Sequence, residues 1–341
     1  MSITTVLSGN EHALVENKII IEVNNLKKYF DISKGLLKRS ATEVRAVDGL
    51  DFQVYEGETL GIVGESGCGK STTGQLILGL LDATEGHIYF KGSDIAGMTQ
   101  KELREARRDL QVIFQDPYSS LNPRMTVEQL IGEPLVVHGL ARGKALREEV
   151  LYLMNLVGLG EYQLKRFPHE FSGGQRQRIG IARALALKPK VIVCDEAVSA
   201  LDVSIQAQIL NLLKKLQREL GLTYIFIAHG LPAVRHISDR IGVMYLGRMV
   251  ELADRDAIFE TPLHPYTAAL LDSVPIPDPR FRRERQLIEG EIPSPSNPPS
   301  GCHFHPRCPY ATDICKKIDP PYVEILPNHY VACHHPLIDK Q

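Results

Sequence analysis

The sequence predicts an α/β fold built on a largely parallel sheet, and three observations lead to it. Short apolar runs at Leu60–Val63, Val191–Cys194 and Tyr224–Ala228 have the length and β-branched or aromatic content of buried parallel strands. Amphipathic stretches typical of helices alternate with them. The strand Leu60–Val63 runs directly into a glycine-rich turn and then into a helical pattern at Ser71–Leu81. Strand, glycine turn and helix is the order of a phosphate-binding turn.

Further elements surround this core. Strands are predicted at Lys18–Val23 and, in two segments, at Val44–Tyr55; helices are predicted at Thr99–Arg108, Arg142–Leu159, after Ser172, and at Ile205–Leu220. The composition changes after about Ser273, where Val274–Arg280 and Ile292–Ser300 are rich in proline. These patterns predict a domain at 18–271 and a small, loop-rich extension at 272–341.

Composition excludes several classes of function. The 341 residues carry a formal net charge of −2, with acidic and basic residues mixed along the chain, so nucleic acid is not predicted as a partner. No stretch approaches the roughly 20 apolar residues that span a bilayer. Met1–Asn17 lacks the basic and apolar regions of a secretory signal. We therefore expect a cytoplasmic chain whose membrane role, if it has one, is peripheral.

The glycine-rich turn carries the first chemical motif. Residues Gly64–Ser71 read GESGCGKS and fit the pattern G-x-x-x-x-G-K-[ST]. In such a loop the backbone N–H groups surround phosphates, the lysine reaches the same phosphates and the hydroxyl after it binds Mg²⁺. A chance glycine turn is the alternative, which the flanking strand and helix disfavour. The predicted ATP-binding residues here are Gly64, Glu65, Ser66, Gly67, Cys68, Gly69, Lys70, Ser71 and Thr72.

Two carboxylates follow the strand Val191–Cys194. Asp195 is suited to hold the Mg²⁺ shell through water, and Glu196 to act as the general base that activates the attacking water. Two carboxylates that merely begin a loop are the alternative. After a phosphate-binding loop, the catalytic interpretation is favoured.

A third motif identifies a family. Phe171-Ser-Gly-Gly-Gln175 resembles the signature sequence of ATP-binding-cassette (ABC) proteins, with Phe171 where leucine is usual. Other landmarks of that family stand in the expected order, and the resemblance extends from about Lys18 to Leu271. They are Phe30 for adenine (with Tyr29 as the alternative), Gln115 of the Q-loop, Asp202 of the D-loop and His229 as the switch histidine. The resemblance implies that Gln115 meets Mg²⁺ and that His229 contacts the γ-phosphate.

The same resemblance implies an architecture and a partner. A P-loop NTPase ABC nucleotide-binding domain has a RecA-like core, an antiparallel β subdomain and an α-helical subdomain, here at about 116–185. In this family the signature residues, here Ser172, Gly173, Gly174 and Gln175, serve the ATP of the opposite subunit. Two ATP molecules would be enclosed between two such subunits.

Three features are similar to the ATP-binding subunits of dipeptide and oligopeptide importers. They are the insertion Asp31–Arg45, the run Asp116–Met125 and the motif His264-Pro-Tyr266. The insertion and the overall length are more similar to the F-type subunit of the pair. This implies a second ATPase subunit in a heterodimer, two membrane permease subunits, an extracytoplasmic peptide-binding protein and a site on the cytoplasmic face of the inner membrane. Tyr118–Met125 is the candidate contact with a permease, and an ordinary polar loop is the alternative.

Other functions stay open beside this one. Nickel or a sugar-derived opine would be the cargo of other importers in the same branch. A soluble ABC ATPase acting on ribosomes or DNA is disfavoured, because the chain has one cassette and no heptad repeat.

Four cysteines crowd the end of the chain: Cys302, Cys308, Cys315 and Cys333. They lack the C-x₂-C pairs of common zinc sites, although four thiolates suit zinc or a [4Fe–4S] cluster equally well. The similarity of Gly301–Pro309 to the cluster motif of peptide-importer subunits favours a structural [4Fe–4S] cluster. Zinc and free thiols are the alternatives, and one of His303, His305, His334 and His335 could replace a thiolate.

Two positions depart from the family pattern. Ala197 stands where proline is usual after the general base, and Gly230 where aspartate is usual after the switch histidine. Both changes free the backbone. We expect them to affect the rate of hydrolysis rather than the fold.

Overall fold

A computed structural model describes residues 18–31, 43–116, 118–273 and 290–338. Three segments singled out from the sequence lie outside the described residues. They are the N-terminal 1–17, nearly all of the insertion after Asp31, and the proline-rich stretch at 274–280.

The described strands form two sheets. In chain order they are β1 (Ile19–Asp31), β2 (Glu43–Tyr55), β3 (Thr59–Val63), β4 (Glu85–Phe90), β5 (Ser93–Asp94), β6 (Leu110–Ile113), β7 (Val191–Asp195), β8 (Thr223–Ile227), β9 (Arg240–Tyr245), β10 (Arg248–Asp254), β11 (Tyr322–Leu326) and β12 (His329–Ala332). A four-stranded antiparallel sheet has the order β2-β1-β4-β5. The main sheet has the order β11-β12-β10-β9-β3-β8-β7-β6.

The centre of the main sheet is parallel. β9, β3, β8, β7 and β6 run in one direction, with Ile113 opposite Cys194 and Asp195 opposite Ile227. β3 and β8 are buried along their whole length, which is why they read as continuous apolar runs. Because parallel strands end at one edge, the residues that follow β3, β6, β7 and β8 meet there. The predicted α/β fold is confirmed.

Helices cover this sheet. They are α1 (Lys70–Ile77), α2 (Gln100–Asp109), α3 (Val127–Val137), α4 (Gly143–Leu156), α5 (Gly173–Leu185), α6 (Val203–Leu220), α7 (Leu231–Ile237), α8 (Arg255–Glu260), α9 (Pro265–Asp272) and α10 (Asp313–Lys317). The helix predicted to reach Leu81 ends at Ile77. Helix α3 was not predicted from the sequence, because Pro134 lies inside it and obscures the helical pattern. Its start is marked by a capping box between Thr126 and Gln129.

Two apolar cores lie on the two faces of the main sheet. One packs α3, α4 and α5 against the sheet, within the range predicted for the helical subdomain. The other fills the space between the main sheet, α1 and the antiparallel sheet. Side chains such as Ile192 and Ile225 are fully buried, and each such burial stabilises the fold by about 1.5–3 kcal/mol.

The C-terminal extension is more closely tied to the core than its composition predicted. Its hairpin β11–β12 joins the main sheet, where Val331 of β12 lies opposite Glu251 of β10. Upstream, the Arg45 N–H donates to the carbonyl of Pro295 at 3.1 Å, so part of the predicted linker lies along β2. The prediction of a merely loop-rich segment was therefore incomplete. The domain boundary at 271/272 stays a prediction.

Candidate nucleotide-binding site

The loop between β3 and α1 has the shape that its glycines permit. Gly64 has φ 154°, and a Cβ there would lie 2.2 Å from the carbonyl oxygen of Met244. Gly69 has φ 102°, and its Cβ would lie 2.0 Å from the carbonyl oxygen of Ala46. Any side chain at either position would collide with backbone. Ser66 and Gly67 are exposed at the tip, whereas Cys68 is buried.

Lys70 is buried at the first position of α1. Its ammonium donates to the carbonyl oxygens of Gly64 at 2.9 Å and Glu65 at 3.0 Å. His229 approaches from the end of β8, with Nδ1 3.3 Å from the Lys70 Nζ. A buried cation held mainly by neutral groups, beside a helix N-terminus, is suited to an anionic ligand.

The two predicted carboxylates join this lysine. Asp195 ends β7, and its Oδ1 accepts a hydrogen bond from the Ser71 hydroxyl at 2.8 Å. Glu196 is buried, and its carboxylate contacts Nε2 of His229. Its backbone is in the left-handed region at φ 50°, and its N–H donates to the carbonyl of Ile227 at 2.9 Å. Five predicted site residues therefore form one connected group, Lys70, Ser71, Asp195, Glu196 and His229.

The two departures from the family pattern fit this geometry. Ala197 is buried after the left-handed Glu196, and the turn is held by Ser199, whose N–H and hydroxyl both donate to the Glu196 carbonyl. Gly230 has φ −92°, which any residue adopts. The backbone freedom expected from glycine is thus not used there.

Other predicted nucleotide residues lie apart from the connected group. Gln115 follows β6 at the same sheet edge, but its side chain is exposed and makes no hydrogen bond to that group within the described residues. Phe30 is 37% exposed and has the Lys28 ammonium 5.2 Å from its ring. Tyr29, the alternative aromatic, donates its hydroxyl hydrogen to Asp48. The ring of Phe30 is therefore more accessible than that of Tyr29.

The signature residues begin α5. Ser172 caps this helix: its hydroxyl accepts from the Gln175 N–H, and the Gln175 side chain accepts from the Ser172 N–H at 3.1 Å. A Cβ on Gly174 would lie 2.5 Å from Cγ2 of Ile205 in α6, which explains this glycine, and Gly173 is exposed. Phe171 is buried, as an apolar residue should be there.

The signature residues do not complete the site of their own chain. In the described part of the chain, none of them hydrogen-bonds to the loop 64–71. Asp202 precedes α6 and is exposed.

The four late cysteines converge. All are free of disulfides, and together with His264 they line one small cavity. The Cys302 N–H donates to the Cys315 carbonyl at 2.8 Å. Burial raises the pKa of the Cys302 thiol to about 11 and that of Cys333 to about 12. Among the described residues, no group of three or more His, Cys, Asp or Glu side chains is arranged to hold a metal as it stands. The four thiols therefore lie close together, but they are not arranged as the ligands of a metal.

Three residues near these sites have contacts that were not predicted from the sequence. His264 is buried, its Nδ1 accepts from the Tyr266 N–H, and its Nε2 has no partner. Tyr266 and Arg307 both contact Glu65 of the phosphate-binding loop. In the sequence, the motif His264-Pro-Tyr266 indicates only the branch of the family. Nothing local in the sequence connects it to Glu65.

The candidate permease contact is a partly anchored loop. Tyr118 is 64% exposed, with the Arg176 guanidinium 4.7 Å from its ring centre. Leu121 is buried, and Arg183 donates to the Ser120 carbonyl at 2.7 Å. No helix in the described part of the chain has the length and hydropathy to cross a membrane.

Comparison with known proteins agrees with this geometry. Residues 47–199 match the family described as ABC transporter, and residues 250–315 match the oligopeptide/dipeptide transporter C-terminal region. The oligopeptide transport ATP-binding protein AppF of Bacillus subtilis is 54% identical over 318 residues, which are 92% of this chain and 97% of AppF. OppF of Salmonella typhimurium is 54% identical over 328 residues, 94% of this chain and 98% of OppF.

A solved structure is also similar. It is the dimeric post-hydrolysis state of the ATP-binding cassette MJ0796 bound to ADP and Pi. It has a TM-score of 0.61 and 30% identity, covering 69% of this chain and 98% of that one.

Proposed function

The chain belongs to the ABC transporter ATP-binding proteins, and we propose that it is the ATP-hydrolysing subunit of a membrane importer of dipeptides or oligopeptides. One observation carries the catalytic part of the proposal: Lys70, Ser71, Asp195, Glu196 and His229 meet at one edge of the sheet. The C-terminal region and the relatives named for peptide transport support the cargo.

Each residue of the site has a role in hydrolysis. Lys70 and the N–H groups of the loop 64–72 hold the phosphates. Ser71 and Gln115 would ligate Mg²⁺, with Asp195 acting through water; the side-by-side oxygens of Ser71 and Asp195, 2.8 Å apart, suit such a hard cation. Mg²⁺ held by these residues would neutralise charge on the phosphates. Glu196 takes a proton from the attacking water, and His229 orients Glu196 and contacts the γ-phosphate.

The signature residues serve a second subunit. Ser172 and the two glycines after it lie at the N-terminus of the 13-residue helix α5, where N–H groups and the helix dipole favour phosphate. In the described chain these residues make no hydrogen bond to their own loop, which supports a site shared between two ATPases. We place Phe30 against adenine and Asp202 at the subunit boundary.

The assembly we propose has several further members. They are a paired ATPase in a heterodimer, two membrane permeases that hold the ATPases at the cytoplasmic face of the inner membrane, and an extracytoplasmic peptide-binding protein. The exposed ring of Tyr118 supports the permease contact at Tyr118–Met125. Nucleic acid is not among the partners.

Transport by the assembled complex tests the cargo. Vesicles that contain the chain, its paired ATPase and both permeases, with the peptide-binding protein on the opposite side of the membrane, should take up dipeptides or longer peptides when ATP is present on the side that holds the ATPases. Nickel and opines serve as competing cargoes, because the same branch handles them. Peptide uptake that depends on ATP is the expected result. Uptake of nickel or an opine with no peptide uptake would contradict the proposed cargo and leave the ATPase assignment intact.

The cysteine cavity supports a structural [4Fe–4S] cluster, with Cys302, Cys308, Cys315 and Cys333 as the thiolate ligands. The donor set fits, and the buried Nε2 of His264 lies on the cavity wall without a hydrogen-bond partner. Because burial raises the pKa of the Cys302 and Cys333 thiols, loading the cluster would release protons from these two residues. Such a cluster would brace the extension; zinc is the alternative.

Metal analysis of anaerobically purified protein tests the cluster. We expect about four iron and four sulfide per chain and a visible absorption band. Cys315→Ser should lose most of the iron, whereas Cys194→Ala, a control in β7 away from the cavity, should retain it. One zinc per chain without iron would contradict the assignment.

A further inference from the structure

The C-terminal extension reaches the phosphate-binding loop through Arg307. The two terminal nitrogens of its guanidinium donate to the two carboxylate oxygens of Glu65, at 2.8 and 3.1 Å. The Arg307 side chain is only 6% exposed and that of Glu65 is 23% exposed. A bidentate ion pair of this kind is both strong and directional. It joins residues 242 positions apart in the chain.

A second residue holds the backbone of Glu65. The Tyr266 hydroxyl oxygen accepts a hydrogen bond from the Glu65 N–H at 3.0 Å. Burial raises the pKa of Tyr266, so this hydroxyl stays neutral. Both the main chain and the side chain of Glu65 are therefore fixed by residues outside the loop.

Aromatic packing makes these contacts rigid. Tyr245 at the end of β9 lies 4.7 Å from Tyr266 and 5.3 Å from Phe304, measured between ring centres. Tyr266 and Phe304 are also 5.3 Å apart. The Tyr245 hydroxyl accepts from Arg307 at 3.3 Å. One ring cluster thus connects the main sheet, α9 and the cysteine-bearing segment behind the loop.

The position of Glu65 gives this arrangement a consequence for the nucleotide. The carbonyl of Glu65 accepts from the Lys70 ammonium at 3.0 Å, so Glu65 lies beside the group that meets the phosphates. A free carboxylate there would repel a polyanion. The guanidinium of Arg307 neutralises that carboxylate.

We propose that Arg307 and Tyr266 are positioning residues for ATP: they fix and neutralise Glu65, so that nucleotide affinity depends on the cysteine-bearing extension. This inference rests on the assignment of Gly64–Ser71 as the phosphate-binding loop. It also gives the motif His264-Pro-Tyr266 a role, since His264 caps the N-terminus of α9 and its Nδ1 orients Tyr266 by accepting from the Tyr266 N–H.

The affinity of the full chain for MgATP, measured by calorimetry, tests the inference. Arg307→Ala should raise the Kd about tenfold, because it leaves the Glu65 carboxylate unpaired. Adding Glu65→Gln to that variant should recover most of the loss, since the repelling charge is gone. Tyr266→Phe, which keeps the ring packing, should raise the Kd about threefold. Lys316→Ala is the control: its exposed ion pair with Asp313 lies in the same extension, and its Kd should match the native value.

Three outcomes are distinguishable. A native Kd in Arg307→Ala, or no recovery in the double variant, would overturn the inference, because a merely structural role predicts no rescue by Glu65→Gln. A native chain that does not bind MgATP would instead overturn the proposed function. Thermal unfolding without nucleotide checks folding. If Arg307→Ala does not fold, Arg307→Gln, which keeps a hydrogen bond but no charge, should give the same tenfold loss and the same rescue.

Discussion

Replacing Glu196 by glutamine should lower the rate of ATP hydrolysis at least about 100-fold, while MgATP still binds with native affinity or better. The amide has the shape of the carboxylate and can keep a hydrogen bond to His229, but it cannot accept the proton of the attacking water. Removing a negative charge from the neighbourhood of the phosphates does not weaken binding. Steady-state phosphate release and equilibrium ATP binding, measured on the assembled complex, separate the two effects.

Glu219→Gln is the matched control for this variant. Glu219 lies near the end of α6 in an exposed ion pair with Lys215, away from the sheet edge that holds Glu196. Its turnover should equal that of the native chain. Native turnover in Glu196→Gln would remove Glu196 from the role of general base and leave His229 as the candidate.

Lys70→Ala should raise the Kd for MgATP about 100-fold and abolish hydrolysis at ordinary ATP concentrations. The ammonium is buried, and its protein partners are the carbonyls of the loop, the sulfur of Cys68 and the His229 ring. Hydrogen bonds between charged groups in such a site are each worth about 1.5–3 kcal/mol, and Lys70 would make more than one with the phosphates. Calorimetric titration of MgATP measures the change.

The surface lysine Lys91 supplies a control, because its ammonium pairs with Asp109 on the outside of the molecule. Lys91→Ala should bind MgATP as the native chain does. Unimpaired binding in Lys70→Ala would mean that Gly64–Ser71 is not the phosphate-binding loop. The inference about Arg307 would then fail with it.

The parts of the site that the sequence predicted well are those encoded locally. The loop 64–71 follows a buried strand and opens a helix, so its motif and its context are adjacent in the chain. Asp195 and Glu196 follow β7 in the same way. The parallel order of β3, β8 and β7 then brings their ends together without further information.

What the sequence did not predict depends on contacts between distant segments. The need for glycine at position 174 comes from Ile205 in another helix. The contact of Glu65 with Arg307 spans 242 positions, and neither residue belongs to a pattern that points to the other. The hairpin β11–β12 was overlooked because its short strands expose residues such as Val323 and acquire order by pairing with β10.

That pairing has a consequence for how the protein is made. The buried carboxylate of Glu251 in β10 accepts hydrogen bonds from the N–H groups of Leu263 and His264 and contacts the His329 ring of β12. Because Glu251 of β10 pairs with Val331 of β12, β10 emerges from the ribosome about 80 residues before the strand that covers it. Until then it is an open sheet edge that invites association with another chain. A shortened ATPase ending at residue 271 would keep that edge permanently and should be prone to aggregate.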